Sequence, residues 1–270
     1  MSRPASLVTG AGGGIGRALV SALVRRGEYV LATDREAPSD PSWPESLVES
    51  AALDVTDPAA WTWAIDRVCE RWGAIDRLYH VAGVLVPGPF VEAGLGQVAL
   101  HLRVNLEGAL IGTQVAARRM KARGRGHVIA VASLAALAPI PGLALYSASK
   151  AGLRAGLLAA GDELRPFGVA VTVVCPDAVQ TAMLDQQLES EAAALTFSGD
   201  SEVLTPDHVA EVLAGPEVLE RRPLELWLPK RRGVLAKLGD LAPRFGFAIG
   251  GLLRRRGLAQ QERLREERSS

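Results

Sequence analysis

The 270-residue sequence predicts an α/β fold, a doubly wound sheet of about seven parallel strands flanked by helices, in one domain over residues 1–229. Three observations carry that prediction. Short β-branched runs alternate with segments of helical periodicity, the pattern of βαβ units. The run Val169-Ala-Val-Thr-Val-Val174 is almost wholly apolar and β-branched, as a strand covered on both faces should be. A glycine-rich turn, Gly10-Ala-Gly-Gly-Gly-Ile-Gly16, separates the first strand from the first helix.

In chain order, strands are predicted at Leu7–Thr9, Tyr29–Thr33, Leu47–Leu53, Arg77–Val81, His127–Ala132, Val169–Val174 and Leu224–Leu228. Helices fill the intervals at Gly14–Arg26, Pro58–Trp72, Gly96–Ala122, Ser147–Leu164 and Pro206–Leu213. Such an arrangement is Rossmann-like and gathers ligands at the carboxyl ends of the strands. There is no internal repeat. The compositional break follows Pro229, after which residues 230–270 form a basic amphipathic extension.

Composition narrows the function classes. Basic and acidic side chains balance at 30 each, which argues against a nucleic-acid-binding protein overall. Cys69 and Cys175 are too few for a disulfide framework and fit free thiols in a reducing cytoplasm. His80, His101, His127 and His208 show no ligand spacing, so no metal site is expected. Met1–Pro4 lead straight into an apolar run with no charged leader or cleavage site. No stretch approaches the ~18 apolar residues that span a bilayer. A cytoplasmic protein is expected.

A strand that runs into a glycine-rich turn and then a helix brings bare backbone N–H groups and a helix N-terminus to one point, where a pyrophosphate binds. Gly10, Gly14, Ile15 and Gly16 are therefore candidate cofactor-binding residues. Asp34 ends the second strand, where a carboxylate accepts hydrogen bonds from ribose hydroxyls and repels a 2′-phosphate. That balance predicts NAD. Arg35, which can pair with an extra phosphate, is the one residue arguing for NADP.

Tyr146-Ser-Ala-Ser-Lys150 sets a phenol and an ammonium four residues apart, on one face of a helix. A nearby ammonium favours phenolate and draws the tyrosine pKa down from about 10. A phenol so tuned takes a proton from an alcohol or gives one to a ketone. Ser133 closes the strand His127–Ala132, and Asn105 lies in the long helical pattern before it.

The spacing Thr9-Gly10-x-x-x-Gly14-Ile15-Gly16 together with Tyr146-x-x-x-Lys150 resembles the short-chain dehydrogenase/reductase family, over about residues 5–229. Asn105, Ser133, Tyr146 and Lys150 match the family's catalytic tetrad in order and segment. The resemblance implies an oxidoreductase that interconverts an alcohol and a ketone or aldehyde. Tyr146 would be the acid or base, Ser133 would hold the substrate oxygen, Lys150 would tune the phenol and bind the nicotinamide ribose, and Asn105 would hold a relay water. Asp54-Val55 is similar to the family's adenine-contacting segment. Leu78-Tyr79-His80-Val81-Ala82-Gly83 is similar to a segment usually ending Asn-Asn-Ala-Gly, with His80 and Val81 replacing both asparagines. His80 is read as a buried structural histidine. Pro176-Asp177-Ala-Val179-Gln-Thr181 resembles a Pro-Gly-x-x-x-Thr turn whose threonine contacts the nicotinamide carboxamide. Asp177 stands where glycine is usual, which changes the turn if a positive φ is needed there; its carboxylate is expected to face solvent. The resemblance also implies a homodimer or homotetramer built through the helices near 96–122 and 147–164. Two alternatives are a 3-oxoacyl-type reductase using NADPH and a non-catalytic NAD-sensing or scaffold protein on the same fold.

The segments that should border the substrate are apolar: Leu134–Leu145 and Val84–Pro87 lack charge, and Met183 and Leu184 follow the Thr181 turn. No arginine clamp is visible in them, so a bulky lipophilic alcohol or ketone is expected, such as a steroid, aromatic or long-chain compound. In the extension, residues 231–270 hold nine Arg and one Lys against one Asp and three Glu, while Leu235, Leu238, Leu241 and Ala242 recur at helical spacing. Apolar residues flanked by arginines suit peripheral contact with an anionic membrane. They suit equally a helix on a second subunit or over the substrate entrance, and this packing alternative is preferred.

Overall fold

The computed structural model describes residues 3–199, 203–241 and 250–269. Seven strands form a parallel sheet: β1 Ala5–Thr9, β2 Tyr29–Asp34, β3 Val48–Ala52, β4 Arg77–His80, β5 Gly126–Val131, β6 Val169–Pro176 and β7 Glu225–Leu228. Their order is β3-β2-β1-β4-β5-β6-β7. The direction of winding reverses between β1 and β4, where Val8 lies opposite Tyr79. Diverging connections leave a crevice at the carboxyl ends of that pair, the usual ligand position in an open α/β sheet.

Both sheet faces are covered, which explains the continuous apolar runs in β1, β5 and β6. One face packs against α1 (Gly14–Arg25) through Leu19, Val20 and Leu23. The opposite face packs against α2 (Pro58–Trp72), with Trp61, Ile65 and Val68 in its core. Asp57 caps α2 by accepting the Ala59 N–H, and Pro58 opens the helix where no backbone donor is needed.

The predicted helix Gly96–Ala122 is not continuous. It divides into α3 (Leu95–Leu102), a π turn (Arg103–Glu107) and α4 (Gly108–Arg123). Asn105 sits in the π turn with its side chain buried. A single i→i+5 turn re-aims a side chain without ending the helix, and such turns concentrate at functional sites. Asn105 Oδ1 accepts the Val84 N–H at 2.8 Å, and its Nδ2 donates to Val84 O at 2.9 Å and to Ser149 Oγ at 3.0 Å.

Helix α5 (Ala144–Leu164) begins before the predicted Ser147, so Tyr146 lies within its first turn. The helix is fixed to the sheet edge by Arg154, which donates to both oxygens of Glu225 in β7 at 2.6 and 2.8 Å. A bidentate pair of this kind sets orientation as well as distance. Beyond β6 come α6 (Ala182–Glu189) and a 3₁₀ segment (Glu191–Phe197), neither of which the periodicity revealed. Next are α7 (Pro206–Leu213) and α8 (Pro216–Leu219), which return to the α1 face. After β7, the extension forms α9 (Lys230–Leu241) and α10 (Gly250–Ser269). Ala242 and the apolar stretch after it lie outside the described residues. No helix among the described residues is long and apolar enough to cross a membrane.

Candidate active site

The glycine-rich turn is a cradle that side chains would fill. Gly10 has φ of +68°, and a Cβ on it would lie 2.7 Å from Ala82 N. A Cβ on Gly16 would lie 2.0 Å from Gly10 O, so α1 can start directly under the turn only with glycine there. Thr9 locks the floor: its hydroxyl accepts from Val81 N and Ala82 N and donates to Tyr79 O. At the rim, Asp34 Oδ2 accepts the Gly12 N–H at 3.0 Å and Oδ1 accepts the Arg35 N–H at 2.7 Å. The Arg35 side chain is exposed. Asp54 Oδ1 accepts both the N–H and hydroxyl of Thr56, hydrogen bonds that hold its carboxyl below the ordinary range and shape the turn after β3. The Val55 carbonyl accepts Trp61 Nε1–H at 2.8 Å.

The four candidate catalytic residues converge at the carboxyl ends of β4 and β5. Lys150 is buried and donates from Nζ to Val131 O at 2.8 Å, with Nζ 5.8 Å from the centre of the Tyr146 ring. Gly83 joins Lys150 to Asn105, since a Cβ there would sit 3.4 Å from Lys150 Nζ and 3.2 Å from Asn105 Oδ1. Ser133 caps the short turn after β5 by accepting the Ala135 N–H, and its hydroxyl is hydrogen-bonded to the Tyr146 phenol. Asn105 is thus linked to the pair through Ser149, whose hydroxyl in turn donates to Tyr146 O.

The lysine does not draw the phenol down in this structure. Burial dominates and pushes Tyr146 up to about 12, against the smaller opposing effect of the Ser133 hydrogen bond. Leu85, Ala135, Leu143 and Ala193 pack around the ring and exclude the solvent that phenolate would need. Burial also lowers Lys150 to about 8.

Tyr146, Lys150, Ser133, Ile15, Val179 and Thr181 line one cavity of about 670 Å³. Residues 5–192 match the profile of the short chain dehydrogenase family. The chain belongs to this family. It is similar to the 3-alpha-(or 20-beta)-hydroxysteroid dehydrogenase of Mycobacterium tuberculosis, 32% identical over 183 residues, 67% of this chain and 70% of that protein. It is similar also to the 3-beta-hydroxysteroid dehydrogenase of Comamonas testosteroni, 33% identical over 188 residues, 68% of this chain and 74% of that one. Among solved structures, a short-chain dehydrogenase from Streptomyces avermitilis superposes with a TM-score of 0.77 at 26% identity, covering 94% of this chain and 98% of its own. The protein is an oxidoreductase of CH–OH groups, and its family uses nicotinamide dinucleotides.

The residues of this dehydrogenase fit such a cofactor: the cradle stays open only because Gly10 and Gly16 lack side chains, and Thr181 faces it, 2.8 Å from where a Gly14 Cβ would stand. Pro176, Gly83 and Lys150 border the cavity, whereas Gly10, Gly14, Gly16, Asp34, Asp54, Val55 and Ala82 lie outside it, along the strand ends toward β3. That split follows the length of a dinucleotide, whose two ends bind at different strand ends.

Five readings of the sequence are corrected or completed. Val84–Pro87 does not line the cavity, because Asn105 holds Val84 by both backbone groups and His101 Nε2 accepts the Val86 N–H. Asp177 does not face solvent: its carboxylate accepts Arg232 Nε–H at 2.7 Å, and the turn there needs no left-handed residue. Arginines do reach the cavity, Arg232 and Arg254, both from the extension. Leu235 and Ala236 of α9 line it as well, so the extension covers part of the pocket. His80 donates or accepts at Thr113 Oγ1 (3.0 Å), stacks edge-on against Trp61 and is pushed down to about 3 by burial; it is a structural histidine. Sequence reading missed Ser149, Val131 and Ala236, of which only Ser149 stood inside a motif; Leu235 it had named in the extension, as packing on a second subunit or over the substrate entrance.

Proposed function

We propose that this dehydrogenase uses NAD to interconvert a bulky, lipophilic alcohol and its ketone. The observation that carries the proposal is that Tyr146, Ser133 and Lys150 share one cavity whose remaining wall is mainly apolar, including Leu134, Ile140, Leu143, Met183 and Leu184. The volume lies in the range of ligand pockets, and the nicotinamide end of the cofactor would share it with the substrate. The names of the hydroxysteroid dehydrogenases it is similar to support the same substrate class.

Bound NAD(H) supplies the hydride. The protein's own task is to orient the substrate oxygen and move one proton. Ser133 and Tyr146 form a two-point hold on that oxygen. Tyr146, kept protonated by burial, is in the form that donates to a carbonyl oxygen in the reductive reaction. Lys150, Asn105 and Gly83 lie together behind the phenol, where a returning proton would pass. For the cofactor, the Asp34 carboxylate beside Gly12 adds negative charge where a 2′-phosphate would have to lie, supporting NAD over NADP.

The test is reduced-nicotinamide absorbance with a panel of short-chain, aromatic and polycyclic ketones and alcohols. Turnover of polycyclic compounds with NADH, and its loss in Tyr146→Phe, is the expected result. Turnover confined to small polar carbonyls, or faster with NADPH, overturns the reading.

A further inference from the structure

Asp177 follows β6, in the turn that carries Val179 and Thr181, and proton transfer leaves its carboxylate unused. It pairs with Arg232 at 2.7 Å, and both side chains are largely shielded from solvent. Arg232 stands in the first turn of α9, so one ion pair joins the extension to the turn beside the catalytic residues. Packing encloses the same spot. A Cβ on Gly199 would collide with the Arg232 guanidinium, and one on Gly233 would collide with the Trp227 side chain of β7.

A second anchor lies on α10. Buried Gln261 donates to Gln187 O at 2.9 Å and Ser190 O at 3.0 Å, and Arg265 donates to Leu188 O. These carbonyls belong to α6 and the residues just after it, which cover the cavity. Leu235, Ala236 and Leu253 of the extension border the cavity that holds Tyr146. The extension is therefore fastened on both sides of the pocket it walls.

We propose that the Asp177–Arg232 ion pair is a latch that seats α9 as a wall of the substrate pocket, making both positioning residues for bulky apolar substrates. The inference rests on the lipophilic-substrate reading above. A bulky substrate reaches the Leu235–Ala236 wall, whereas a short ketone needs only the Ser133–Tyr146 end. Releasing the wall therefore removes contacts from the first and few from the second. The pair also cancels one arginine charge next to the nicotinamide-side turn, while Arg254 of α10 still borders the cavity.

The experiment compares full-length wild type with Arg232→Ala, Asp177→Asn and the conservative Arg232→Lys. KM and kcat are measured for a polycyclic ketone and a short-chain ketone, alongside hydrogen exchange of residues 230–241. In Arg232→Ala and Asp177→Asn, KM for the polycyclic ketone rises about tenfold and that for the short ketone about twofold. Arg232→Lys stays within about threefold of wild type, since the charge pair survives. Exchange in 230–241 quickens in Asp177→Asn, a variant that keeps the turn's size if Arg232→Ala folds poorly. Equal KM changes for both ketones, or unaltered exchange in Asp177→Asn, overturn the latch. A wild type that turns over only the short ketone overturns the substrate reading instead, and the exchange result then decides the latch alone.

Discussion

At the cofactor end of the cleft, β1, the glycine turn and α1 are consecutive in sequence, and the cradle is closed by backbone, within the turn between Gly16 and Gly10 and across to the neighbouring strand end at Val81 and Ala82. At the substrate end, the wall is assembled from the 134–143 loop, α6 and two helices of the extension, with Arg232 reaching Asp177 across 55 positions. The cofactor end is thus a device of close backbone approach and the substrate end one of side-chain packing. Close backbone approach tolerates little change, because its shape is fixed by missing side chains. An assembled wall changes one packing contact at a time, which leaves substrate choice free to vary while the chemistry stays fixed.

The largest expected effect breaks the point where the two ends meet. Tyr146→Phe should lower kcat by about 10³-fold, within the usual range for removing a general acid, while NADH binding followed by fluorescence changes little. Retained turnover would move the proton donor elsewhere.

Next comes the cofactor end alone. Gly16→Ala forces a Cβ onto Gly10 O, and overpacking of this kind costs about 3 kcal/mol. NADH affinity should fall by about 100-fold and the denaturation midpoint should drop, whereas a conservative change in the assembled wall, Leu235→Val, should cost under about 1.5 kcal/mol. Comparable losses in both variants would erase the contrast. Asp34→Asn sharpens it further. The ratio of NADH to NADPH affinity, read by isothermal titration, should shrink about tenfold, with the KM of the ketone nearly constant.

A separate effect, one of stability and not of turnover, concerns the sheet that both ends share. His80 and His127 are buried and bonded to Thr113 and Thr172, and burial pushes each down to about 3. The unfolded chain takes up these protons near pH 6.5, and the folded chain does so only near pH 3. Their contribution is therefore complete above pH 6.5 and is lost as pH falls toward 3, at about 1.4 kcal/mol per pH unit for each. Urea midpoints should decline from pH 6.5 to 5, less steeply in His80→Gln. Equal slopes would show that His80 already protonates in the folded state.

Much of the fold and of the site is legible in the chain's own residues. The strand runs, the glycine turn and the Tyr146/Lys150 spacing depend on periodicity and backbone freedom, which a single sequence carries openly. The π turn at Asn105 is not legible there, because its cause is a bond to Val84, a residue twenty-one positions away. Nor is the protonation of Tyr146. Four-residue spacing puts the lysine near the phenol, but Leu85, Leu143 and Ala193 decide how dry the phenol is, and burial then outweighs the neighbouring charge.

By itself, then, the sequence determined the succession of strands and helices, the glycine turn and the Tyr146/Lys150 spacing, since each rests on periodicity or composition within a short stretch of chain. Tertiary structure alone decided that the basic extension is a wall of the pocket and that Asp177 is buried against Arg232. Contacts between distant segments depend on where packing brings them together, and no local pattern in either segment records its partner.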